Sequence, residues 1–519
     1  MPAMGSCFKW RMTMKKLPIG VQTFSEIING DYLYIDKTAI AYSLIDDFKY
    51  AFLSRPRRFG KSLFLDTLQN IFEGNRELFR GLLIEEKWNW EVTYPVIKIG
   101  FSDGLHSKAD FEADVLHTLQ SNEKRLGLEC EERDSIPYFF QELIKEAYKK
   151  YHRRVVILID DCDKPILDNI DNIPAALVLQ RAMSDFQSII KNNDASLYFV
   201  FLIGESKLFN SSLFGGLNNL ENIGLNPVFG AVCGYTQHDV DVVFAPYLEG
   251  VDMAELKRWY NGYNFLGDNV YNPYDILLFI ENGHLFKNYW FDAGIPKYFM
   301  QLIKENSYLI PVFSGFDISS SSLNSFDINN ICVETLLFQS GCLAVKHEDS
   351  SSMSGVGYVL GCPNREVQTS VNDTLLELMT SGSDKDPICR ELLAIMNTGE
   401  VERLEVVIEP LFASISGDNF PNNDVWRSEG FYASALCAYF ASIRIDLVVE
   451  NMGYEGGINL TMKAGGRTFF LEFKVKELDP LEQIKKMKYY EKYDGERYLI
   501  GIVFDPKQRI VSKFELERL

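Results

Sequence analysis

The chain is 519 residues long, which is too many for a single hydrophobic core and predicts two or three domains. Its composition, 46% hydrophobic and 24% charged, is typical of a water-soluble globular protein. The net charge of −20 argues against a protein that coats nucleic acid through bulk electrostatics, because phosphate contacts need clustered Lys and Arg, but it leaves room for a local basic groove.

Other features narrow the class of protein further. The longest apolar runs are far shorter than the roughly 20 residues that span a bilayer, so no membrane segment is predicted. The nine cysteines are scattered and include no C-x-x-C pair, which argues against a zinc site or a disulfide framework and favours the cytoplasm. Residues 1–16 lack an apolar region of secretory length and are treated as an extension, with Met14 as an alternative start.

Between Tyr50 and Gly204, short apolar runs alternate with longer amphipathic segments. This alternation predicts an α/β domain with a parallel sheet that helices cover on both faces. Strands are predicted at 50–53, 95–101, 155–160 and 197–203. Helices are predicted at 61–73, 109–126, 138–151 and 175–191.

Serine-rich breaks and a polar linker divide the remainder of the chain. Residues 236–312 are predicted to be mostly helical, and Ser-rich breaks are expected at 314–325 and 350–357. The pattern after 428 predicts a helix, three strands, a helix and a strand, in a compact α/β end domain. Further helices are predicted at 369–379, 387–396 and 401–414. The domain boundaries that result are 17–235, 236–416 (a helical lid or linker) and 417–519, with the polar segment 417–424 as a linker.

A phosphate-binding signal lies between the first predicted strand and helix. Residues 54–62 are S-R-P-R-R-F-G-K-S, and a P-loop has the form G-x-x-x-x-G-K-[ST] in this context. Arg55 takes the place of the first glycine, whereas Gly60, Lys61 and Ser62 fit. The helix N-terminus would bind phosphate, Lys61 would reach the β- and γ-phosphates, and Ser62 would hold Mg²⁺. By itself, a chance G-K-S before a helix explains the match equally well.

A second signal strengthens the first. The apolar run 155–159 ends in Asp160 and Asp161, which is the Walker B pattern. Asp160 would contact the metal and Asp161 would polarise the attacking water. An apolar strand that ends in a polar turn is common, but the two signals lie in order, about 100 residues apart, in an α/β background. Together they predict that the chain binds ATP and Mg²⁺.

Motifs along nearly the whole chain resemble those of a known family. They are L-P-I-G at 17–20, Y-I-D-K-T at 34–38, R-P-R-R-F-G-K-S-L at 55–63, D-D-C-D-K-P-I at 160–166, L-F-G-G-L-N-N-L at 213–220, W-Y-N-G-Y at 259–263, V-Y-N-P at 270–273, Y-W at 289–290 and L-E-F-K-V at 471–475. The chain resembles the bacterial AAA-ATPase-like family, whose members usually end in a PD-(D/E)XK nuclease-like domain.

The resemblance implies an AAA-like P-loop ATPase domain, a helical middle region and a restriction-endonuclease-like α/β domain. An arginine at the position of Arg55 is normal for this family. Residues 34–38 either shape the nucleotide pocket or have a structural role. The nucleotide contacts that the resemblance implies are Arg57, Arg58, Phe59, Gly60, Lys61, Ser62, Leu63 and Asp160.

Two departures from the family pattern weaken the case for rapid hydrolysis. The family usually has Asp-Glu at the end of the Walker B strand, whereas this chain has Asp160 and the shorter Asp161. The family also tends to have Thr-Gly after the strand that begins at Leu197, where this chain has Ile203 and Gly204. Both changes affect groups near the γ-phosphate, so we expect binding to survive and turnover to be slow.

The C-terminal resemblance brings its own chemistry. PD-(D/E)XK nucleases hold Mg²⁺ with an acid on one strand and the glutamate of an E-x-K on the next, and the lysine orients water or stabilises developing charge. Glu472 and Lys474 supply the E-x-K on one face of a strand. Glu429 matches an acid at the start of the family's domain, and Gln483 matches a polar position. Glu429 could equally favour a helix dipole, and Gln483 could equally lie on a solvated face.

The partner acid has two candidate positions. Asp446, in an R-I-D resembling the family's, lies 26 residues before Glu472, whereas Asn459 lies 13 residues before it, which is the spacing expected of the family. Gly465 and Gly466 form a strong two-residue turn signal. Asn459 and Glu472 each lie six residues from that turn, so the hairpin places them opposite each other. The Asn459 register is therefore favoured, and it leaves the metal site one carboxylate short of what Mg²⁺ prefers.

The sequence thus predicts an ATP-binding and ATP-hydrolysing protein whose nuclease-like domain is impaired. It would act as a nucleotide-gated switch or as a binder of DNA, RNA or protein. One alternative is an active ATP- and Mg²⁺-dependent DNA nuclease that recruits Asp446 or another acid. Another is a non-enzymatic interaction scaffold. AAA relatives often assemble into rings, so a homo-oligomer is also expected.

Overall fold

The computed structural model describes residues 14–133, 135–206, 219–292, 316–324, 332–349, 356–380, 386–413, 429–443, 445–450, 459–475, 479–508 and 510–519. The chain divides into two compact units. The first comprises Met1–Ala293 and Ile318–Tyr358, and the second comprises Gly294–Asp317 and Val359–Leu519.

The first unit is built on a five-stranded sheet with the order β2-β3-β4-β1-β5, and all of its strand pairs are parallel. Its strands are β1 (Tyr50–Ser54), β2 (Val96–Gly100), β3 (Val155–Asp160), β4 (Leu197–Gly204) and β5 (Glu221–Asn222). Because β4 lies between β1 and β3, the carboxyl ends of these three strands meet at one edge of the sheet.

Helices follow or connect these strands. They are α1 (Phe24–Asn29), α2 (Thr38–Asp47), α3 (Lys61–Phe72), α4 (Lys108–Leu126), α5 (Ile136–Tyr151), α6 (Lys164–Leu167) and α7 (Ile173–Asn192). The predicted strands and helices of residues 50–204 are therefore confirmed to within two residues.

The ends of the longer helices follow ordinary capping chemistry. Helix α4 begins where the Ser107 hydroxyl accepts the backbone N–H of Asp110, and it ends at Gly127, which has a φ of +61°. Helix α7 begins where the Asn172 side chain accepts the backbone N–H of Ala175. These helices pack apolar faces against the fully buried strands, which is why the strands lack alternating polarity.

After β5, the first unit continues with short elements. They are β6 (Tyr235–Thr236), α8 (Gln237–Val242), α9 (Met253–Tyr260), β7 (Val270–Tyr271), α10 (Pro273–Glu281) and α11 (Tyr289–Asp292). Strands β6 and β7 pair in antiparallel orientation, and aromatic residues such as Trp259, Tyr260 and Phe279 fill the core around them.

Further along the chain, the structure corrects one expectation. The Ser-rich segment 314–325, predicted as a break, contains a strand and a short helix. The Ser319 hydroxyl accepts the backbone N–H of Ser322, so a serine that was taken as a sign of a loop instead caps a helix. The elements here are β8 (Phe316–Ser319), α12 (Ser320–Asn324), α13 (Val333–Ser340), β9 (Ala344–Asp349) and β10 (Gly357–Gly361). The middle of the chain is helical, as predicted, and it also contains the short strands β8, β9 and β10. Most of the second predicted break, 350–357, and all of the predicted linker, 417–424, lie outside the described residues.

The second unit contains a sheet with the order β11-β12-β13-β14-β15. Neighbouring strands are antiparallel except β13 and β14, which are parallel and are joined through a helix. Its elements are α14 (Arg365–Thr380), α15 (Asp386–Thr398), α16 (Leu404–Ala413), α17 (Glu429–Ser442), β11 (Asp446–Glu450), β12 (Asn459–Ala464), β13 (Arg467–Val475), α18 (Pro480–Met487), β14 (Glu496–Asp505) and β15 (Ile510–Arg518).

Strand β15 is a second correction, because the sequence predicted only one strand after α18. It pairs with β14 at the edge of the sheet, and most of its residues are at least partly exposed. The strand carries charged residues between its few apolar ones, as edge strands often do, and such a segment is also typical of a polar loop.

Among the described helices, none is both long enough and apolar enough to cross a bilayer.

Candidate nucleotide site and C-terminal acidic site

The loop between β1 and α3 has a left-handed backbone conformation at two positions. Arg58 and Gly60 both have positive φ angles, of +66° and +89°. Glycine adopts such an angle readily, whereas arginine rarely does. Gly60 is the N-cap of α3, and helix residues begin at Lys61. The free N–H groups of this helix N-terminus are the usual binding site for phosphate.

The side chain of Lys61 folds back over the loop. Its Nζ donates hydrogen bonds to the carbonyl oxygens of Arg55, at 3.0 Å, and Pro56, at 3.1 Å. Only 7% of the residue is exposed. The ammonium group is thus held at the mouth of the loop, where it can contact a phosphate that reaches the helix N-terminus.

Asp160, at the end of β3, lies next to the beginning of α3. Burial, and then the charge of Asp161, raise the pKa of Asp160, whereas a hydrogen bond from the Ser62 hydroxyl and the charge of Lys61 lower it. The structure therefore brings the G-K-S and the aspartate together. The Ser62 hydroxyl and the Asp160 carboxylate are hard oxygen donors, so this pair fits a Mg²⁺ ion.

A shallow cleft lies beside the loop, with a cavity volume of about 70 Å³. Most of its walls are apolar. Tyr34 and Lys37 contribute to it, together with Phe59, Gly60 and Leu63 of the loop and helix. The other lining residues are Pro18, Leu33, Ile35, Phe64, Thr67, Val232, Cys233, Gly234, Tyr235 and Pro273.

The Y-I-D-K-T segment holds one wall of this cleft in place. The Asp36 carboxylate accepts hydrogen bonds from the backbone N–H and the hydroxyl of Thr38, at 2.8 and 2.6 Å. Its other oxygen accepts the backbone N–H of Leu83. Lys37 forms an ion pair with Asp239 at 2.9 Å. Asp36 and Thr38 are thus structural, while their neighbours Tyr34 and Lys37 face the cleft.

Arg55 is a buried structural residue, with only 1% exposed. Its guanidinium donates to the carbonyl oxygens of Ser54, Gly224 and Phe229, at 2.8, 2.7 and 2.9 Å. It also lies over the ring of Phe265, 3.8 Å from the centroid. Burial lowers the pKa of Arg55 to about 10. In place of a glycine, the loop thus carries a cation that connects it to residues 224–230.

The other loop residues have separate partners. The Nε of Arg57 donates to the Glu205 carboxylate, and Arg57 also accepts the indole N–H of Trp290 at its carbonyl oxygen. Arg58 is exposed, with its guanidinium 5.2 Å from the centre of the Tyr274 ring. Phe59 is buried, and its ring packs edge-on against another aromatic ring 4.8 Å away.

The residues after β3 and β4 are tied together by one buried carboxylate. Asp163 accepts the backbone N–H groups of Glu205 and Ser206 and the hydroxyl of Ser206. Burial raises the pKa of Asp163 to about 6. Asp161, the predicted catalytic residue, has a positive φ of +46° and donates its backbone N–H to the Asp160 carboxylate. Ile203 is a buried strand residue.

In the second unit, the hairpin has the predicted register. Strands β12 and β13 pair Asn459 with Glu472, on either side of the turn at 465–466. Asp446 pairs with Lys463, so it lies at the far end of β12 from Asn459. Glu450 pairs with Asn459, which places Glu450, Asn459 and Glu472 in one row across three strands. Gln483 lies in α18.

Glu472 and Lys474 lie in β13, and Glu429 begins α17. The Nζ of Lys474 lies 3.1 Å from Glu472 and 3.4 Å from Glu429. The side chains of Glu472 and Lys474 are 0% and 3% exposed. Burial raises the pKa of Glu472 to about 7 and also raises that of Glu429, whereas Lys474 lowers both. A lysine thus lies between the two carboxylates that would bind a metal. Among the described residues, no group of three or more His, Cys, Asp or Glu side chains is arranged to hold a metal ion.

Comparison with known proteins identifies two domains in the chain. Residues 18–214 match the model of a predicted AAA-ATPase family, and residues 427–514 match the PD-(D/E)XK nuclease superfamily. A relative from Azotobacter chroococcum mcd 1, described as an uncharacterized protein in the vnfD 5' region, is 39% identical over 98% of this chain and 100% of its own length. The chain belongs to the predicted AAA-ATPase family. No solved structure matches it.

For this member of the AAA-ATPase-like family, sequence reasoning found the loop 54–62, the strand that ends at Asp160 and the E-x-K. It missed the cleft residues at 232–235, the carbonyl partners of Arg55 and the position of Glu205. No short motif marks these residues, because they reach the loop from distant parts of the chain. A polar residue directly after β4 was the one available signal for Glu205.

Proposed function

We propose that the chain binds ATP and Mg²⁺ in its first unit, hydrolyses ATP slowly, and uses nucleotide binding as a switch for a C-terminal domain that binds nucleic acid or protein. The observation that carries this proposal is that Lys61, Ser62 and Asp160 lie together beside an apolar cleft. These residues supply a cation for phosphate, hard oxygen ligands for a metal and an apolar surface for a base, which supports the proposal.

The assignment of residues follows from these contacts. The phosphates lie on the loop 57–61 and the helix N-terminus, with Lys61 as the cationic contact. Ser62 and Asp160 hold Mg²⁺, which, when bound, neutralises charge on the β- and γ-phosphates. Phe59 and Leu63 line the cleft that takes the base. Asp161 follows Asp160 where the family usually has a glutamate, and the absence of a glutamate at that position supports slow turnover.

Lys61→Ala tests the nucleotide site. We expect the affinity for a fluorescent ATP analogue to fall about 10- to 100-fold, because a charge-assisted hydrogen bond to phosphate is lost. Equilibrium titration of the full chain with Mg²⁺ measures this affinity. Lys191→Ala, at the exposed end of α7, is the matched control and should bind like the parent. Equal affinity in Lys61→Ala and the parent would refute the assignment.

For the C-terminal domain, we propose that cleavage is impaired because Lys474 supplies the positive charge that a metal would otherwise bring. Two carboxylates and one ammonium group form a compact cluster, and the residue opposite Glu472 is an asparagine. A hard cation gains least where a carboxylate ligand is replaced by a neutral amide. The domain is therefore a binder that has the framework of a nuclease.

Asn459→Asp should restore metal affinity. We expect Mn²⁺ to bind at least about tenfold more tightly, since the change adds a carboxylate to the row that includes Glu472. Isothermal titration in an Asp160→Asn background isolates this site from the first unit. Asn459→Gln, which adds no charge, is the control. If the variant and the control bind Mn²⁺ alike, Asn459 is not at a metal position.

The second candidate function is an active Mg²⁺-dependent nuclease that recruits another acid. The register favours Glu450 over Asp446 for this role, because Glu450 is the residue that pairs with Asn459. Plasmid cleavage by the parent chain, lost in both Glu450→Gln and Lys474→Ala, would establish this function in place of the impaired one.

A further inference from the structure

Glu205 lies directly after β4, between the end of the loop strand β1 and the end of β3. Its side chain is only 12% exposed, and its carboxylate accepts a hydrogen bond from the Nε of Arg57. Arg57 follows Arg55 and Pro56, the two residues whose carbonyl oxygens bind the Lys61 ammonium. The carboxylate of Glu205 is therefore hydrogen-bonded to the part of the loop that would face the terminal phosphates.

The backbone at Glu205 is held firmly. The Asp163 carboxylate lies 3.1 Å from the backbone nitrogen of Glu205, and a Cβ at Gly204 would come within 2.5 Å of the same carboxylate. The backbone N–H of Cys162 donates to the Ile203 carbonyl oxygen at 2.9 Å. The segments that follow β3 and β4 thus form one fixed unit, so Glu205 is positioned relative to Asp160.

We propose that Glu205, rather than Asp161, is the carboxylate that activates the attacking water. Asp161 has a short side chain and a positive φ angle. The side chain of Glu205 is one methylene longer, and Glu205 follows β4, which lies between the two strands that carry the nucleotide site. The proposal rests on ATP binding as proposed above.

The reaction step is a hydrolysis. The oxygen of water forms a bond to the γ-phosphorus, and the bond from that phosphorus to the oxygen bridging to the β-phosphate breaks. ADP leaves with the electron pair of that bond. One proton of the water passes to the Glu205 carboxylate, and the inorganic phosphate keeps the oxygen of the water. A positioned general base of this kind contributes typically 10²–10⁴-fold to the rate.

Arg57 controls this base. In the structure it is hydrogen-bonded to the Glu205 carboxylate. A γ-phosphate carries more negative charge than a single carboxylate, so its arrival draws the guanidinium away and frees Glu205 to accept a proton. Glu205 is thus released only when a triphosphate is present.

Glu205→Gln tests the proposal, since the amide keeps the shape and still accepts a hydrogen bond from Arg57. We expect the single-turnover rate of ATP hydrolysis to fall at least about 100-fold, with ATP affinity within about threefold of the parent. Asp161→Asn should lose less activity than Glu205→Gln. Glu205→Asp keeps a carboxylate and should retain more turnover than Glu205→Gln. Glu221→Gln, on the exposed edge strand β5, is the matched control and should hydrolyse ATP like the parent.

Several outcomes would overturn the role of Glu205. One is a Glu205→Gln variant that turns over at the parental rate per bound ATP, even if it melts earlier or binds ATP less well. Another is complete loss of turnover in Asp161→Asn alone. A parent chain that binds ATP in the titration without hydrolysing it would also overturn this role, while leaving the binding proposal intact. Failure of ATP to bind would overturn both.

Discussion

Replacing Arg55 with glycine, the residue that usually opens a P-loop, should lower the free energy of unfolding of the first unit by about 3–5 kcal/mol. The change removes hydrogen bonds to three carbonyl oxygens and leaves a cavity against Phe265. Those buried carbonyls then lose their donor, which adds to the packing loss. The variant that restores the common motif is thus expected to be the less stable one.

Urea unfolding combined with hydrogen exchange of peptides from β1 and β4 measures this effect. Arg58→Ala is the control, because Arg58 comes from the same loop but is exposed, and it should change stability by no more than about 1 kcal/mol. A stable Arg55→Gly variant with unchanged exchange in β1 would show that the guanidinium is dispensable.

Replacing Lys474 with methionine should destabilise the C-terminal sheet by about 3 kcal/mol at pH 8. Removing one partner of a buried ion pair leaves an unpaired charge, which typically costs 3–5 kcal/mol. Here the loss affects Glu472, which is fully buried, and Glu429 beside it. The loss of stability is limited because Glu472 can take up a proton, which removes the unpaired buried charge.

The pH dependence follows from Glu472. Its folded pKa, about 7, lies above its usual value of 4.5, so in the parent the folded state binds the extra proton and stability declines as the pH rises from about 4.5 through 7. Without Lys474 this pKa rises further, because the cation that favoured the charged form is gone. The cost of Lys474→Met should therefore shrink at pH 6, where Glu472 is neutral.

A double-mutant cycle separates charge from packing. Lys474→Met combined with Glu472→Gln should recover about half or more of the lost stability at pH 8, since one buried charge is removed with its partner. Lys463→Met, an exposed lysine on β12, is the matched control. If Lys474→Met is as stable as this control at every pH, Lys474 does not neutralise the cluster.

Local chemistry explains what the sequence predicted well. Residues 50–62 and 155–161 are short segments, and each combines an apolar strand with polar residues at its end, so their placement follows from the parallel sheet. The pairing of Asn459 with Glu472 followed from a glycine turn, because a two-residue hairpin determines every pair along its strands.

What the sequence could not predict depends on contacts between distant residues. Two of the carbonyls that bind Arg55, those of Gly224 and Phe229, lie about 170 positions away, and a carbonyl group leaves no mark on the sequence. The cleft likewise combines residues from 18 to 273. Strand β15 and helix α12 were missed for a different reason, since charged and serine-rich segments are typical of loops as well as of edge strands and helix caps.

The ammonium of Lys61 is already satisfied by two neutral carbonyls before any nucleotide arrives. The binding free energy that a ligand gains from Lys61 is therefore only the difference between its own hydrogen bonds to the ammonium and the carbonyl hydrogen bonds that it replaces. That difference increases with the negative charge on the ligand, because charged acceptors form stronger hydrogen bonds than carbonyls. We therefore expect the affinities of this loop for mono-, di- and triphosphates to differ more than they would if Lys61 were exposed to solvent.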